Sequence, residues 1–328
     1  MKIKSLKIDN FKTLLNFELI EPNPFSVFVG ANGVGKSNIF EALEYLNLNY
    51  RTKTQINEEL FGGFKNFLNY NKQNGILDIT LKNEESFGIK FQRTPGKIIG
   101  DSVGGTVSSQ TGPETNSEFQ SQFLDNFSRI FTTSKEANKL NLSASDKKLN
   151  FNCDNVENVL KRILENPLKA LEIKEWLNLL RPGFSDIKIE KDLSDKSFIQ
   201  FFEEGYEKPF GKHLISDGTH NILCLLTAIY QTDEPQFLCI EEPENGLNPY
   251  VIKELVKFFR EQCKEKGHYI WLNTHSQTLV NQLQPEEIII INKEYGVTIP
   301  RQIKDKNMHG LAMDEAWLTN VLGGGVPW

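Results

Sequence analysis

Several absences narrow the chain before any motif is read. Its apolar runs, such as Ile288–Ile291, are strand-length, far below the roughly 20 residues of a membrane helix. No membrane span is expected. The N-terminus, Met1-Lys2-Ile3-Lys4-Ser5-Leu6-Lys7-Ile8, lacks the apolar core and cleavage site of a secretory signal and alternates polar with apolar like a half-buried strand. A cytoplasmic location is therefore expected. Cysteine is scarce: Cys153, Cys224, Cys239 and Cys263 share no metal-ligand spacing, and two lie inside apolar periods, where cysteine packs as a small hydrophobe. Basic charge is not in excess. With 37 Lys and Arg against 43 Asp and Glu, the net charge is −6, so no global positive field advertises nucleic-acid binding. An acidic protein can still carry a local basic groove, and nucleic acid stays open as a partner. There is no internal repeat of the kind that marks a solenoid.

What is present is enough to bury a full core, since 39% of 328 residues are hydrophobic. Residues 1 to 30 alternate in strand fashion and end on Phe25-Ser26-Val27-Phe28-Val29, a buried-type strand running into glycine. A helix is predicted next, with Ile39, Phe40, Leu43 and Leu46 on one face. Short strands return over Ile76 to Phe91. The stretch Asp101 to Glu118, rich in Gly, Ser, Thr, Gln and Pro, is expected to be a mobile loop. From about Phe119 to Arg181 the pattern is helical and is stopped by Pro182-Gly183. Residues 186 to 205 resemble a hairpin, and from Leu214 helix and strand alternate as in a mostly parallel sheet. The expected organisation is an α/β chain in three segments: 1–110, an inserted mainly helical segment with a hairpin at 111–209, and 210–328.

Gly30-Ala31-Asn32-Gly33-Val34-Gly35-Lys36-Ser37 fits G-x-x-x-x-G-K-[ST] between a strand and a helix. Glycines let such a loop wrap tightly, and its backbone N–H groups cradle phosphate oxygens at the helix N-terminus. Lys36 would reach the β/γ-phosphates and Ser37 would supply an oxygen to Mg²⁺. Gln236-Phe237-Leu238-Cys239-Ile240-Glu241-Glu242-Pro243 is an apolar strand delivering two adjacent carboxylates at the sheet edge where ligands bind. Successive strand residues point oppositely. Glu241 is thus the metal-side group and Glu242 the general base or water-orienting group. Asn248 can cap a helix that Pro249 begins, with Val251, Ile252, Leu255, Val256 and Phe259 as its buried stripe. The strand Tyr269-Ile270-Trp271-Leu272 ends in Asn273-Thr274-His275-Ser276, where a histidine can hydrogen-bond a terminal phosphate. Ser216-Asp217-Gly218-Thr219 precedes a helix with Ile222, Leu223, Leu226 and Ile229 apolar. Alone it would be only a helix cap; it also offers the hydroxyl and helix N-terminus that bind an anion.

In this order, Gly30–Ser37, Ser216–Thr219, Glu241–Pro243, Asn245–Asn248 and His275 resemble the Walker A, signature, Walker B, D-loop and switch-histidine motifs of ABC ATPases. Ile8-Asp9-Asn10-Phe11-Lys12 and Glu241-Glu242-Pro243-Glu244-Asn245-Gly246-Leu247 are similar to the SMC/RecF/OLD branch, in particular to short AAA-type, OLD-like ATPases of prokaryotic antiphage defence. The resemblance implies an ABC ATPase head, a P-loop NTPase fold with mixed or antiparallel N-terminal strands, a mostly parallel core sheet and an inserted helical subdomain. It implies ATP and Mg²⁺ as cofactors, with ATP held by Gly30, Asn32, Gly33, Gly35, Lys36, Ser37 and Asn38, the metal on Ser37 and Glu241, and hydrolysis served by Glu242, His275 and Lys36.

It also implies a homodimer in which two heads sandwich two ATPs, Ser216 and Gly218 of one touching the γ-phosphate held by Lys36 of the other. Lys12 stands where the branch usually has an arginine near the phosphates. The chain departs from the family pattern in Glu241, where aspartate is usual, in the Ser-Asp-Gly-Thr form of its signature, and in the Q-loop glutamine, for which Gln120 and Gln122 are candidates. The span from Lys36 to Ser216 leaves no place for a long SMC-type coiled coil, and the tail after His275 is too short for a TOPRIM nuclease of the OLD kind. The function expected is ATP hydrolysis coupled to a separate effector, a nuclease or toxin, in antiphage defence; a RecF-like DNA-repair or DNA-binding ATPase is the alternative. A transporter subunit would need a membrane partner, and the Asn10-Phe11 and Asn245-Gly246-Leu247 features speak against it.

Overall fold

The computed structural model describes residues 2–52, 61, 63–84, 88–93, 98–99, 102–103, 107–111, 121–132, 146–191, 193, 197–304, 311–319 and 321–322. In chain order the strands are β1 (Ile3–Asp9), β2 (Phe17–Ile20), β3 (Phe25–Val29), β4 (Leu77–Asn83), β5 (Gly88–Arg93), β6 (Ile98–Ile99), β7 (Ser102–Val103), β8 (Val107–Thr111), β9 (Phe127–Ile130), β10 (Phe184–Lys191), β11 (Ser197–Glu203), β12 (Phe210–Gly211), β13 (Phe237–Glu241), β14 (Tyr269–Thr274), β15 (Ile288–Glu294) and β16 (Val297–Gln302). The helices used below are α1 (Lys36–Thr52), α2 (Phe64–Phe67), α3 (Val156–Leu164), α4 (Pro167–Leu180), α5 (Asp217–Tyr230) and α6 (Pro249–Lys266).

The centre is a six-stranded sheet in the order β16-β15-β3-β14-β13-β9, parallel throughout except for β16. Every residue of β3, β13 and β14 is buried, as expected for parallel strands covered on both faces. Side chains leave such a strand alternately, and the core divides accordingly. Val27, Leu238, Ile240, Ile270 and Leu272 pack on one face with α4, α5 and α6. Phe28, Phe237, Cys239 and Trp271 pack on the other with α1 and the N-terminal sheet. Trp271, fully buried, lies tilted to Phe28 and edge-to-face with Phe237 at centroid distances of 5.3 and 4.8 Å. The N-terminal sheet, β2-β1-β4-β5-β8, is antiparallel, so the mixed N-terminal strands and parallel core are both present.

The helix caps follow the local chemistry. Asn248 accepts from the Val251 N–H at 3.0 Å ahead of Pro249, and α6 ends at Gly267 with φ of 69°, the left-handed position that glycine fills without strain. Ser216 caps α5 in the same way through Thr219 N–H. The apolar stripes expected on α5 and α6 are buried, the hairpin expected near 186–205 is β10–β11, and all four cysteines are free and buried.

Two expectations change. The helical pattern from Phe119 to Arg181 holds for α3 and α4, but Phe127-Ser128-Arg129-Ile130 forms β9, hydrogen-bonded in parallel to β13. Four residues are too few to distinguish a strand from a helical turn by periodicity; pairing with β13 decides it. Within the stretch expected to be a loop, Val107–Thr111 pairs antiparallel with β5, because an open sheet edge lends backbone partners to a sequence of low intrinsic preference. Gln120 lies outside the described residues. Among those described, no helix is long and apolar enough to cross a membrane.

Candidate nucleotide site

The glycine loop joins β3 to α1 at the C-terminal edge of the central sheet. Its glycines are required by contact as well as by conformation. A Cβ at Gly30 would fall on the backbone oxygen of Ile291, and Gly35, at φ +101°, would meet the hydroxyls of Thr298 and Thr13. Those hydroxyls brace the loop from outside. Thr298 Oγ1 donates to the Val34 carbonyl at 2.7 Å and lies 2.6 Å from Thr13 Oγ1, which accepts from Asn38 Nδ2 at 2.7 Å. Asn32 and Gly33 are exposed on the rim. Lys36 is buried, and its ammonium donates to the Gly30 and Ala31 carbonyls, each at 2.9 Å. Burial pushes its pKa down to about 8, against the opposing pull of Glu242, Glu244 and Glu241.

Ser37, on the first turn of α1, donates to Glu241 Oε2 at 2.7 Å, joining residues 204 apart. Between them sits Asn273 at the end of β14. Its Nδ2 lies 3.3 Å from both Ser37 Oγ and Glu241 Oε2, and its Oδ1 accepts from Glu242 N–H at 3.1 Å. These partners fix the orientation of the amide. Glu242 has φ of 46°, a left-handed conformation that costs a non-glycine residue about 1–2 kcal/mol; such strain clusters where a side chain must be aimed. Its Oε2 accepts from Asn245 Nδ2 at 2.9 Å.

Glu244 Oε1 accepts from the Thr274 hydroxyl at 2.5 Å and from the His275 N–H at 3.1 Å, tying the strand that carries His275 to the turn after Glu242. Burial raises the Glu244 carboxyl above its ordinary range. Burial, and then the Lys36 charge, hold the His275 imidazole below its ordinary value, with Glu242 opposing, which favours a neutral ring with one N–H to donate near pH 7.

Lys36, Ser37, Glu241, Glu242 and His275 therefore share one edge. Ser216 and Gly218 occupy another place: Ser216 is exposed at the start of α5, and Gly218 packs so closely on Gly246 that a Cβ would strike the Gly246 carbonyl. Asn221, one turn on, donates to the carbonyls of Pro243 and Asn245 at 2.9 and 2.8 Å. Among the described residues, no hydrogen bond or ion pair links Ser216 or Gly218 to the glycine loop of the same chain. Lys12 is paired with Glu41 on α1, while Thr13 beside it touches the loop. Of Gln122 only the backbone is described, in the short helical segment Ser121–Asp125.

The donor set suits Mg²⁺ bound together with a nucleotide. Ser37 Oγ and Glu241 Oε2 are hard oxygens side by side, and among the described residues no group of three or more His, Cys, Asp and Glu could hold a metal by itself. Mg²⁺ commonly takes one or two protein oxygens and completes its shell with phosphates and water.

Four residues of the site escape sequence reasoning. Asn273 shows only as a polar residue ending an apolar strand. Thr13 and Thr298, 285 positions apart, carry no local signal. Arg129 lies in β9, where a helix is expected; its guanidinium binds Glu241 and Glu44 from within the core.

A strand–glycine loop–helix backed by a carboxylate pair, a histidine strand and a separately placed signature helix defines an ABC-type ATPase head of the SMC/RecF branch. The chain belongs to the family described as "AAA domain, putative AbiEii toxin, Type IV TA system", whose model matches residues 25–281. It is 42% identical over 65 residues to the DNA replication and repair protein RecF of Geobacter sp. (strain M21), covering 19% of this chain and 18% of that protein. It is 29% identical over 85 residues to RecF of Coxiella burnetii (strain Dugway 5J108-111), covering 26% and 22%. The chain thus matches only about a fifth of the length of these relatives. Two solved structures share the fold: the SMC head domain from Thermotoga maritima, with TM-score 0.54, 14% identity and coverage of 93% of this chain and 100% of that one, and an SMC head bound to the C-terminal winged-helix domain of ScpA, with TM-score 0.61, 16% identity and coverage of 93% and 99%.

Proposed function

We propose that the protein binds and hydrolyses ATP with Mg²⁺ as a homodimer, and passes its nucleotide state to a separate effector. The observation that carries this is the convergence of Lys36, Ser37, Glu241, Glu242 and His275 on one sheet edge, with Ser37 and Glu241 in hydrogen-bond contact at 2.7 Å. The loop N–H groups from Gly30 to Ser37 and the Lys36 ammonium bind the phosphates, with Asn32, Gly33, Gly35 and Asn38 shaping the cradle. Ser37 and Glu241 would hold Mg²⁺, which would supply charge neutralisation to the phosphates. Glu242, aimed by its left-handed backbone, orients the attacking water and accepts its proton. His275 donates a hydrogen bond to the terminal phosphate.

The helix N-terminus is exposed at Ser216 and Asp217 and half-buried at Gly218, is polarised toward anions, and is unconnected to its own loop by any described bond; it closes over the γ-phosphate held by a second copy. Lys12, paired with Glu41 on α1, takes the place near the phosphates where the branch usually has an arginine. The chain is assigned to the cytoplasm, and the effector is a nuclease or toxin of a prokaryotic antiphage system.

Phosphate release tests the chemistry. Glu242→Gln should lower turnover about 10²–10⁴-fold while ATP binding persists, and Lys36→Ala should weaken binding itself. Equal turnover by Glu242→Gln and the unmodified protein would contradict the assignment. The RecF likeness favours a second reading, a head that contacts DNA directly. DNA affinity that falls steeply with salt in the purified protein would select it.

A further inference from the structure

We propose that Arg129 is the positioning residue of the metal-side carboxylate; the inference rests on the Mg²⁺–nucleotide reading of the site. Arg129 enters from β9, where it is level with Cys239 on the neighbouring β13. Its Nε donates to Glu241 Oε1 at 2.7 Å, and Nη2 pairs with the same oxygen. Nη1 donates to Glu44 Oε2 at 2.8 Å, and the guanidinium carbon lies 4.8 Å from the Phe151 ring centroid. The side chain is 8% exposed, so the fork is largely enclosed by these partners.

The consequence is a division of labour between the two oxygens of Glu241. Oε1 is taken by Arg129. Oε2 is left facing Ser37 Oγ and Asn273 Nδ2, the side on which a cation held by Ser37 would sit. A glutamate has one more rotatable bond than the usual aspartate, and without an anchor its carboxylate would sample several rotamers. The planar fork of arginine removes that freedom in a way that the point charge of lysine does not reproduce. Glu44 holds the other arm of the fork, and Lys12 is paired with Glu41, so the neighbouring carboxylates of α1 are engaged and do not compete for the cation.

Arg129→Lys keeps a positive charge among these carboxylates while removing the fork, which protects the fold. The probe is Mn²⁺, titrated by electron paramagnetic resonance into protein with ATP, beside binding of a fluorescent ATP analogue in the absence of divalent metal. Metal affinity should fall about 10-fold or more, the range for groups that orient a metal ligand, while metal-free nucleotide binding stays within about twofold of the unmodified protein. Mn²⁺ affinity unchanged in Arg129→Lys would overturn the proposal, as would a parallel loss of both readouts, which marks a purely structural role. Combining Arg129→Lys with Glu241→Asp should add little to the loss from Glu241→Asp alone; full additivity would also overturn it. Failure of the unmodified protein to bind Mn²⁺ with ATP would instead refute the nucleotide reading beneath it.

Discussion

Replacing Gly218 by alanine separates two reasons for a glycine in the signature segment. Gly218 lies on the first turn of α5, and a Cβ there would sit about 1 Å inside ordinary contact with the Gly246 carbonyl oxygen. Backbone cannot rotate away as a side chain can, so either α5 or the Gly246 turn must move. The same turn is held by Asn221 through the Pro243 and Asn245 carbonyls, and Asn245 in turn contacts Glu242. Overpacking of this kind costs roughly 1–3 kcal/mol. Alanine gains up to about 1 kcal/mol over glycine inside a helix, and less on the first turn. A net loss of about 1–2 kcal/mol lowers the melting temperature by roughly 1.5–3 °C for a chain of this size. Thermal unfolding followed by circular dichroism measures it. An alanine variant at least as stable as the parent would refute the backbone contact and leave ligand binding as the sole reason for the glycine.

Lys36, at about 8 in the free protein, is driven toward full protonation by phosphate, so ATP binding at pH 8 should take up about half a proton per site. Calorimetry in buffers of different ionisation enthalpy reads this uptake, and its absence would contradict the placement of Lys36. His268 is buried, and burial, with a smaller contribution from Lys266, holds its imidazole down at about 4 from an ordinary 6.5. Between those values the unfolded chain binds the extra proton, so this contribution to stability is complete above 6.5 and declines as pH falls toward 4, by up to about 1.4 kcal/mol per pH unit. His268→Asn keeps an acceptor for the Gln236 N–H and should flatten that slope in urea melts; an unchanged slope would exclude His268 as its source. Asn248→Ala removes the cap from α6 and should cost about 1 kcal/mol, read as a lower urea midpoint with the steepness of the transition unchanged.

Legibility in the sequence tracks how local each feature is. The glycine loop is readable because strand, loop and helix are contiguous from Phe25 to Leu46, and the caps at Ser216 and Asn248 because each bond spans three residues. The buried stripes of α5 and α6 follow from periodicity alone. Arg129 is opaque because its hydrogen-bonded carboxylates, Glu44 and Glu241, lie 85 and 112 positions away, and because the strand that carries it is too short to have a period. The Thr13–Thr298 brace is invisible for the same reason: threonine in a turn and threonine in an edge strand are ordinary until the fold joins them. Strain at Glu242 cannot be read from composition either, since the left-handed φ is imposed by the Asn273 bonds and the turn to Pro243. Lys12 is singled out only by the family resemblance, and its charge partner, Glu41, comes from the packing of α1 against the N-terminal strands.

The dimer with shared sites is the central claim, and the most direct measurement of it is the molar mass of Glu242→Gln by light scattering, with and without ATP and Mg²⁺. Slow turnover should hold the closed state, so the variant is expected to shift from the mass of one chain to that of two on adding ATP, and Ser216→Arg in the same background should abolish the shift. A Glu242→Gln protein that binds ATP yet keeps the same mass in both conditions would contradict an ATP-dependent sandwich.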